Sequence, residues 1–142
     1  MTPTLVVDAG VALKLLLPEP LGEYAYRLAA MSSPMIAPNL IRIEIANAFW
    51  KSVRKGVIDP NVSQVLLARV RAHFAELVDE DTLLPDALHL ATTLNHPVYD
   101  CIYLALAETR SARLVTANER LMARIKGTEY ARLVTPLSEF AA

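Results

Sequence analysis

Three carboxylates and one amide lie at positions in the sequence from which their side chains could take part in catalysis or in metal binding. Asp8 closes the apolar run "TLVVD", and Glu44 lies within the helical pattern "NLIRIEIANAFWK". Asp100 opens the apolar stretch "YDCIYLALAE", and Asn118 follows the short run "RLVT". These four residues are the candidate functional groups of the chain.

The chemistry depends on whether Asp8, Glu44 and Asp100 converge. Like charges a few ångströms apart raise one another's pKa, so clustered carboxylates need a cation to remain anionic. A hard divalent ion such as Mg²⁺ or Mn²⁺ suits oxygen ligands and keeps waters for substrate oxygens. Nucleases use such ions to activate water, so convergence would indicate phosphodiester hydrolysis.

Each acid also has a simpler interpretation. Asp8, taken alone, fits an N-cap for the helix that follows. Glu44 fits an exposed residue at the edge of an amphipathic helix, a reading that periodicity alone favours. Asp100 is less easily explained, because a buried carboxylate without a partner costs more than the nearby helix dipole returns.

Asn118 and Thr116 mark the end of another predicted strand. Asn118 is a good N-cap for the helix that begins at Glu119, and a cap at a strand's carboxyl end also faces the place where ligands bind. Thr116 fits either a hydroxyl that supports a pocket or one bonded to the backbone. Both residues are therefore candidates for a cap and for a site.

Other chemistries find less support in the sequence. His73, His89 and His96 lack a zinc-ligand spacing, and each is interpreted as a surface or packing residue. No glycine-rich phosphate loop follows a strand, and "DAG" lacks the second acid of an aspartyl-phosphate phosphatase. The pair Tyr99 and Tyr103 is interpreted as core packing rather than as a platform for bases.

Short apolar runs alternate with helical patterns along the whole chain. The predicted strands are 4–8, 35–38, 75–79, 113–116 and 131–135. The predicted helices are 9–17, 20–31, 39–55 with Asn39 as its cap and Gly56 at its end, one from Asp59 or Asn61 to about 75, 84–95, 99–109 and 119–125. This alternation predicts an α/β fold with a mainly parallel sheet of about five strands and helices on both faces. No repeat or flexible linker divides residues 1–142, so a single domain is expected.

Composition limits the class of protein. Charged residues interrupt every apolar run before membrane-spanning length, and no basic leader precedes Asp8, so a soluble protein without a secretory signal is expected. Cys101 is the only cysteine, which suits the cytoplasm. A net charge of −1 argues against coating nucleic acid by bulk charge, although basic residues cluster around Lys51 and in the C-terminal third.

The order and context of the four candidate residues resemble the PIN-domain ribonucleases, specifically the VapC-type toxins of bacterial toxin–antitoxin operons. "VVDAGVALKLLLPE" resembles the family's opening strand with its first acid, and "APNLIRIEIANAFWKSVRKG" resembles the segment that carries its glutamate. "HPVYDCIYLALAE" resembles the segment with the third acid. "LVTANERLM" resembles the family's Thr-x-Asp stretch, with Asn118 in the position of the Asp.

The resemblance implies a three-layer α/β/α domain, endoribonuclease activity dependent on Mg²⁺ or Mn²⁺, a homodimer and neutralisation by a VapB-like antitoxin. It implies that Asp8, Glu44 and Asp100 hold the metal, that Asn118 assists catalysis and that Thr116 supports the pocket. An amide supplies no negative charge, so a second ion should bind less tightly here. Two alternatives remain open: a degenerate PIN module that binds RNA or antitoxin without cleaving, and a hydrolase of small phosphate esters.

Overall fold

A computed structural model describes residues 2–140 as a five-stranded parallel sheet covered by helices. The strands are β1 (Leu5–Val7), β2 (Met35–Pro38), β3 (Glu76–Val78), β4 (Arg113–Thr116) and β5 (Val134–Pro136). Their order across the sheet is β3-β2-β1-β4-β5, and every neighbouring pair is parallel. The predicted α/β class and five-stranded parallel sheet are confirmed.

Seven α-helices connect the strands. They are α1 (Ala9–Leu16), α2 (Gly22–Ala30), α3 (Leu40–Arg54), α4 (Pro60–Arg69), α5 (Leu84–Leu94), α6 (Val98–Thr109) and α7 (Glu119–Ile125). Short 3₁₀ segments cover Val70–His73, Glu80–Thr82, Glu129–Leu133 and Leu137–Phe140. Because parallel strands require crossovers on the faces of the sheet, the helices form outer layers, which gives a three-layer α/β/α arrangement. Within residues 2–140, no helix is both long enough and apolar enough to cross a membrane.

The chain changes direction across the sheet beside β1. After β1, the strands β2 and β3 are added in turn on one side of β1, and the chain then crosses back so that β4 pairs with the other side of β1. Leu5, Val6 and Val7 are all buried, as expected for a central parallel strand covered on both faces. The reversal creates a crevice between the carboxyl ends of β1 and β4, which is where ligands bind in open parallel sheets.

Helix α6 lies in the core against the central strands. All seven residues from Cys101 to Ala107 are buried, and α6 packs against β1, β2 and β4. This confirms the prediction of a buried helix made from its apolar surface. The packing fixes the start of α6, and therefore Asp100, at the rim of the crevice.

The structure corrects two details of the predicted elements and decides between two predicted caps. The last strand begins at Val134, because the preceding segment forms a 3₁₀ turn in which Thr128 Oγ1 accepts from the Tyr130 amide. Asn39 makes no side-chain cap for α3, and the Leu40 amide donates instead to Glu80 Oε2 at 3.1 Å. Asp59 caps α4 by accepting from the Asn61 amide at 2.7 Å.

Candidate active site

A cleft of about 230 Å³ opens at the carboxyl ends of β1 and β4. Its lining comprises Asp8, Ala9, Gly10, Lys14, Glu44, Asp100, Tyr103, Ala117 and Asn118. The four candidate residues that sequence placed on separate elements thus share one cleft. Thr116, also a candidate, lies fully buried behind the lining.

Asp8 caps α1 and faces the cleft at the same time. Its Oδ1 accepts from the Val11 amide at 2.9 Å, and its Oδ2 accepts from the Thr116 hydroxyl. Burial raises the pKa of Asp8 to about 6, with a smaller contribution from the negative charge of Asp100, although both hydrogen bonds oppose the rise. The cap and site interpretations of Asp8 are therefore compatible.

Asp100 is held by two donors on one oxygen. Asn118 Nδ2 donates to Asp100 Oδ2 at 3.1 Å, and His96 Nε2 lies 2.6 Å from the same oxygen. The His96 side chain is only 7% exposed, compared with 31% for Asp100. With both partners on Oδ2, Asp100 Oδ1 is the oxygen left for a ligand.

Asn118 combines a capping role with a place in the cleft. Its Oδ1 accepts from the Leu121 amide at 3.1 Å, which caps α7, while its Nδ2 binds Asp100. Its backbone amide donates to Thr116 Oγ1 at 3.0 Å, and the Thr116 hydroxyl in turn donates to Asp8. Thr116 and Asn118 therefore join Asp8 to Asp100 through a continuous set of hydrogen bonds.

Glu44 is partly buried rather than fully exposed at the edge of α3. The buried Tyr103 hydroxyl donates to Glu44 Oε1 at 2.6 Å. Burial raises the pKa of Glu44, the Tyr103 hydrogen bond opposes the rise, and the charges of Asp100 and Asp8 add to it. The negative charge of Asp100 thus raises the pKa of both Asp8 and Glu44, in each case by less than burial does.

Three residues at this site were not identified from sequence. His96 and Tyr103 were interpreted as packing residues, yet each binds a candidate carboxylate. Lys14 is the positively charged residue of the lining, and its Nζ lies 3.4 Å from Glu19 Oε1. The spacing of His96, four residues before Asp100, was the available signal for that contact.

The donor set of the cleft fits a hard divalent cation. Its acids offer oxygen atoms, and a bound cation would favour the charged forms of Asp8 and Glu44, whose pKa values are raised mainly by burial and in part by the neighbouring acids. Within residues 2–140, no three His, Cys, Asp or Glu side chains are grouped so that together they could hold a metal ion. Direct ligation by one or two of these acids would suit Mg²⁺, which commonly takes one or two carboxylates and completes its shell with water and substrate phosphate.

Comparisons with known proteins identify the family of the chain. A sequence model of the PIN domain matches residues 5–127. The ribonuclease VapC3 of Pyrobaculum aerophilum is 31% identical over 134 residues, covering 93% of this chain and 98% of VapC3. The exonuclease VapC9 of the same organism is 34% identical over 84 residues, covering 59% of this chain and 62% of VapC9. The chain therefore belongs to the PIN-domain family, among its VapC-type members.

Solved structures support the same fold. The crystal structure of PAE2754 from Pyrobaculum aerophilum superposes with a TM-score of 0.71 at 24% identity, covering 96% of this chain and 85% of that one. A toxin–antitoxin complex from Klebsiella pneumoniae gives a TM-score of 0.69 at 15% identity, covering 94% and 98%. At these identities the two likenesses show the fold alone.

Proposed function

We propose that this protein is an Mg²⁺- or Mn²⁺-dependent endoribonuclease, the toxin of a toxin–antitoxin pair that acts in the cytoplasm. The observation that carries the proposal is the cleft in which Asp8, Glu44 and Asp100 meet beside β1 and β4. The ribonuclease activity named for VapC3 supports the substrate class. Residues 1–142 would form one nuclease domain.

The carboxylates of Asp8, Asp100 and Glu44 would hold the ion, one or two directly and the rest through water. When bound, the ion supplies Lewis acidity to a phosphate oxygen and lowers the pKa of a water molecule. Glu44 Oε1 is occupied by the Tyr103 hydroxyl, so Oε2 is available to accept a proton from the attacking water.

The remaining residues of the cleft position the reactants. Asn118 and His96 orient Asp100, and Thr116 orients Asp8. The ammonium group of Lys14 lies in the lining, where it would bind the phosphate whose ester bond breaks. Hydrolysis would then leave a phosphate on one RNA fragment and a hydroxyl on the other.

The activity is tested with purified protein stripped of metal by EDTA. Adding Mg²⁺ or Mn²⁺ should restore cleavage of RNA, and Asp100→Asn should abolish it. Asp86→Asn is the matched control, because Asp86 is an exposed acid in the first turn of another helix. Full activity of Asp100→Asn would overturn the site assignment, and preferential cleavage of a simple phosphomonoester would indicate the small-ester hydrolase instead.

The mode of cleavage needs its own substrate, because the name of VapC9 specifies an exonuclease. A covalently closed circular RNA has no end for an exonuclease to attack. Linearisation of the circle would establish an endonuclease, whereas degradation of linear RNA alone would establish an exonuclease.

The second candidate function is a PIN module that binds without cleaving, favoured by the neutral Asn118. Expression of the wild-type chain should arrest growth, and Asp8→Asn should relieve the arrest while keeping a side chain able to cap α1. Equal toxicity of the two chains would favour binding over cleavage.

An antitoxin and a second copy of the chain complete the proposed assembly. The structure matched in Klebsiella pneumoniae is a toxin–antitoxin complex, which supports an antitoxin partner here. Co-expression with a small reading frame next to the gene should yield a co-purifying inactive complex, and light scattering should give twice the chain mass for the free protein. Failure of either would remove that partner from the proposal.

A further inference from the structure

A basic surface lies on the C-terminal half of α3, outside the cleft. Trp50, Lys51, Arg54 and Lys55 line a hollow of about 270 Å³, and we call these four residues the α3 basic face. The Trp50 side chain is 53% exposed, and the Arg54 guanidinium lies 5.0 Å from the centre of its ring. Exposed indole beside unpaired cations is a surface chemistry typical of single-stranded nucleic-acid binding.

Among the described residues, the cations of this face form no salt bridge, whereas Arg110 and Arg132 each pair with an acid. Arg110 forms a bidentate pair with Glu76 at 2.7 and 2.8 Å, and Arg132 binds Glu108 at 3.2 Å. Throughout the described part of the chain, residues 2–140, no salt bridge involves Lys51, Arg54 or Lys55. The chain carries a net charge of −1, so this local excess of positive charge is not a consequence of overall basicity.

The face is aligned with the cleft. Lys51 follows Glu44 by seven residues, or about two turns of helix, and Lys55 follows it by eleven, or about three turns. The three side chains therefore form one stripe along α3, with Lys51 about 10 Å and Lys55 about 16 Å along the axis from Glu44. The favourable interaction of a helix C-terminus with cations accounts for their sign but not for this alignment.

We propose that the α3 basic face binds the backbone of single-stranded RNA on one side of the scissile phosphate. Lys51 and Lys55 contact successive phosphates, and Trp50 with Arg54 stacks a base. The inference rests on the proposed ribonuclease function, since the cleft supplies the point from which the strand extends. It assigns to this chain a substrate-binding region beyond the cleft.

Binding is tested without cleavage, in EDTA, using a single-stranded RNA of about a dozen nucleotides. The double substitution Lys51→Gln and Lys55→Gln should weaken binding about tenfold at low salt. It should also reduce the slope of log K against log salt by about 1.4, since each phosphate contact on a single strand contributes about 0.7. The matched control is Arg110→Gln with Arg132→Gln, which removes the same two charges from paired sites and should leave the slope unchanged.

Trp50 provides an independent readout because it is the only tryptophan in the chain. The RNA should quench its fluorescence by stacking a base on the indole, whereas inorganic phosphate, which has no base to stack, should not. Thermal melting followed by circular dichroism checks that the Gln variants remain folded.

The outcomes separate this inference from the proposed function. RNA binding and Trp50 quenching without any cleavage would support the face and contradict the nuclease. Cleavage with an unchanged salt slope in the double variant, or with unquenched Trp50, would overturn the face and leave the nuclease intact. Loss of antitoxin binding in that variant with RNA binding unchanged would assign the surface to a protein partner and overturn the inference.

Discussion

The amide of Asn118 changes the electrostatics of the cleft at the level of one atom. Its Nδ2 donates to Asp100 Oδ2, whereas an aspartate in the same place would set a carboxylate oxygen against that oxygen. The native residue thus stabilises the cleft when no cation is bound. A carboxylate at position 118 would make the same cleft depend on a cation.

We predict that Asn118→Asp destabilises the metal-free protein and increases its response to metal. Loss of a hydrogen bond to a charged group costs roughly 1.5–3 kcal/mol, and added repulsion acts in the same direction. Melting in EDTA should show a lower Tm, and Mn²⁺ should raise the Tm more than it does for the wild type. Asn118→Ser, which can still cap α7, is the control; equal metal responses in all three proteins would leave Asn118 as a cap alone.

His96 is expected to position Asp100 for metal binding. His96→Leu removes the partner at 2.6 Å and should weaken Mn²⁺ binding about tenfold to a hundredfold, the usual effect of losing a group that orients a metal ligand. His96→Gln, which can still donate, should weaken it less. Calorimetric titration measures the affinities, with the exposed His89→Leu as control; wild-type affinity in His96→Leu would exclude the role.

The raised pKa of Asp8 predicts a pH dependence of stability. A carboxyl group with a pKa of about 6 in the folded state and 3.8 in the unfolded state retains its proton to a higher pH when the protein is folded. The contribution of Asp8 to stability is therefore greatest below about pH 4 and is lost as the pH rises through about 6. Urea unfolding in EDTA should show this fall, and Asp8→Asn should flatten it; an equally steep fall in the variant would assign it to other groups.

At the scale of elements, helix α6 couples the core to the site. Leu104 is completely buried in α6, one turn after Asp100. We predict that Leu104→Ala lowers the free energy of unfolding by about 2–5 kcal/mol, the range for large cavities in well-packed cores. Leu88→Ala on α5, at a side chain 63% exposed, should change it little. Urea denaturation measures both, and equal losses would contradict the packing described for α6.

Sequence predicted the elements better than it predicted the contacts between them. Residues at the ends of the predicted elements gave nearly every boundary, because they act locally on the backbone. Asp8 and Pro38 mark the ends of strands, and Gly56 follows a helix. The last strand was misplaced because "ARLVT" has the composition of a strand. In the structure its first residues belong to a 3₁₀ turn in which the Tyr130 amide donates to Thr128 Oγ1. Local patterns thus fail where a neighbouring cap competes for the same backbone.

The site was predicted only in part, because some of its contacts join residues that are far apart in the sequence. Asp8, Asp100 and Asn118 were recognisable at strand ends and helix starts, whereas Glu44 was singled out by the family resemblance. The fold then brought all four residues into one cleft. Tyr103 was missed because its partner, Glu44, is 59 residues away and on another helix. Hydrogen bonds of this kind depend on tertiary packing, which periodicity does not report.

At the scale of the whole molecule, the continuous core predicts one cooperative unit. Buried residues from β1, β2, β4 and β5 and from helices at both ends of the described chain belong to one cluster, and the partly buried Leu77 and Val78 of β3 pack against it. Thermal unfolding followed by tryptophan fluorescence at Trp50 and by circular dichroism should therefore give coincident transitions. Two separate transitions would contradict the proposed single domain.

The position of β1 also determines when the cleft can exist during synthesis. Asp8 leaves the ribosome well before its hydroxyl partner, Thr116, which lies 108 residues later as the last residue of β4, the strand that flanks β1. A nascent chain that ends before β4 contains Asp8, Glu44 and Asp100 without the strand that closes the cleft around them. Ribosome-bound fragments should therefore lack nuclease activity until translation has passed Asn118, which delays a toxic activity until both halves of the sheet have been synthesised.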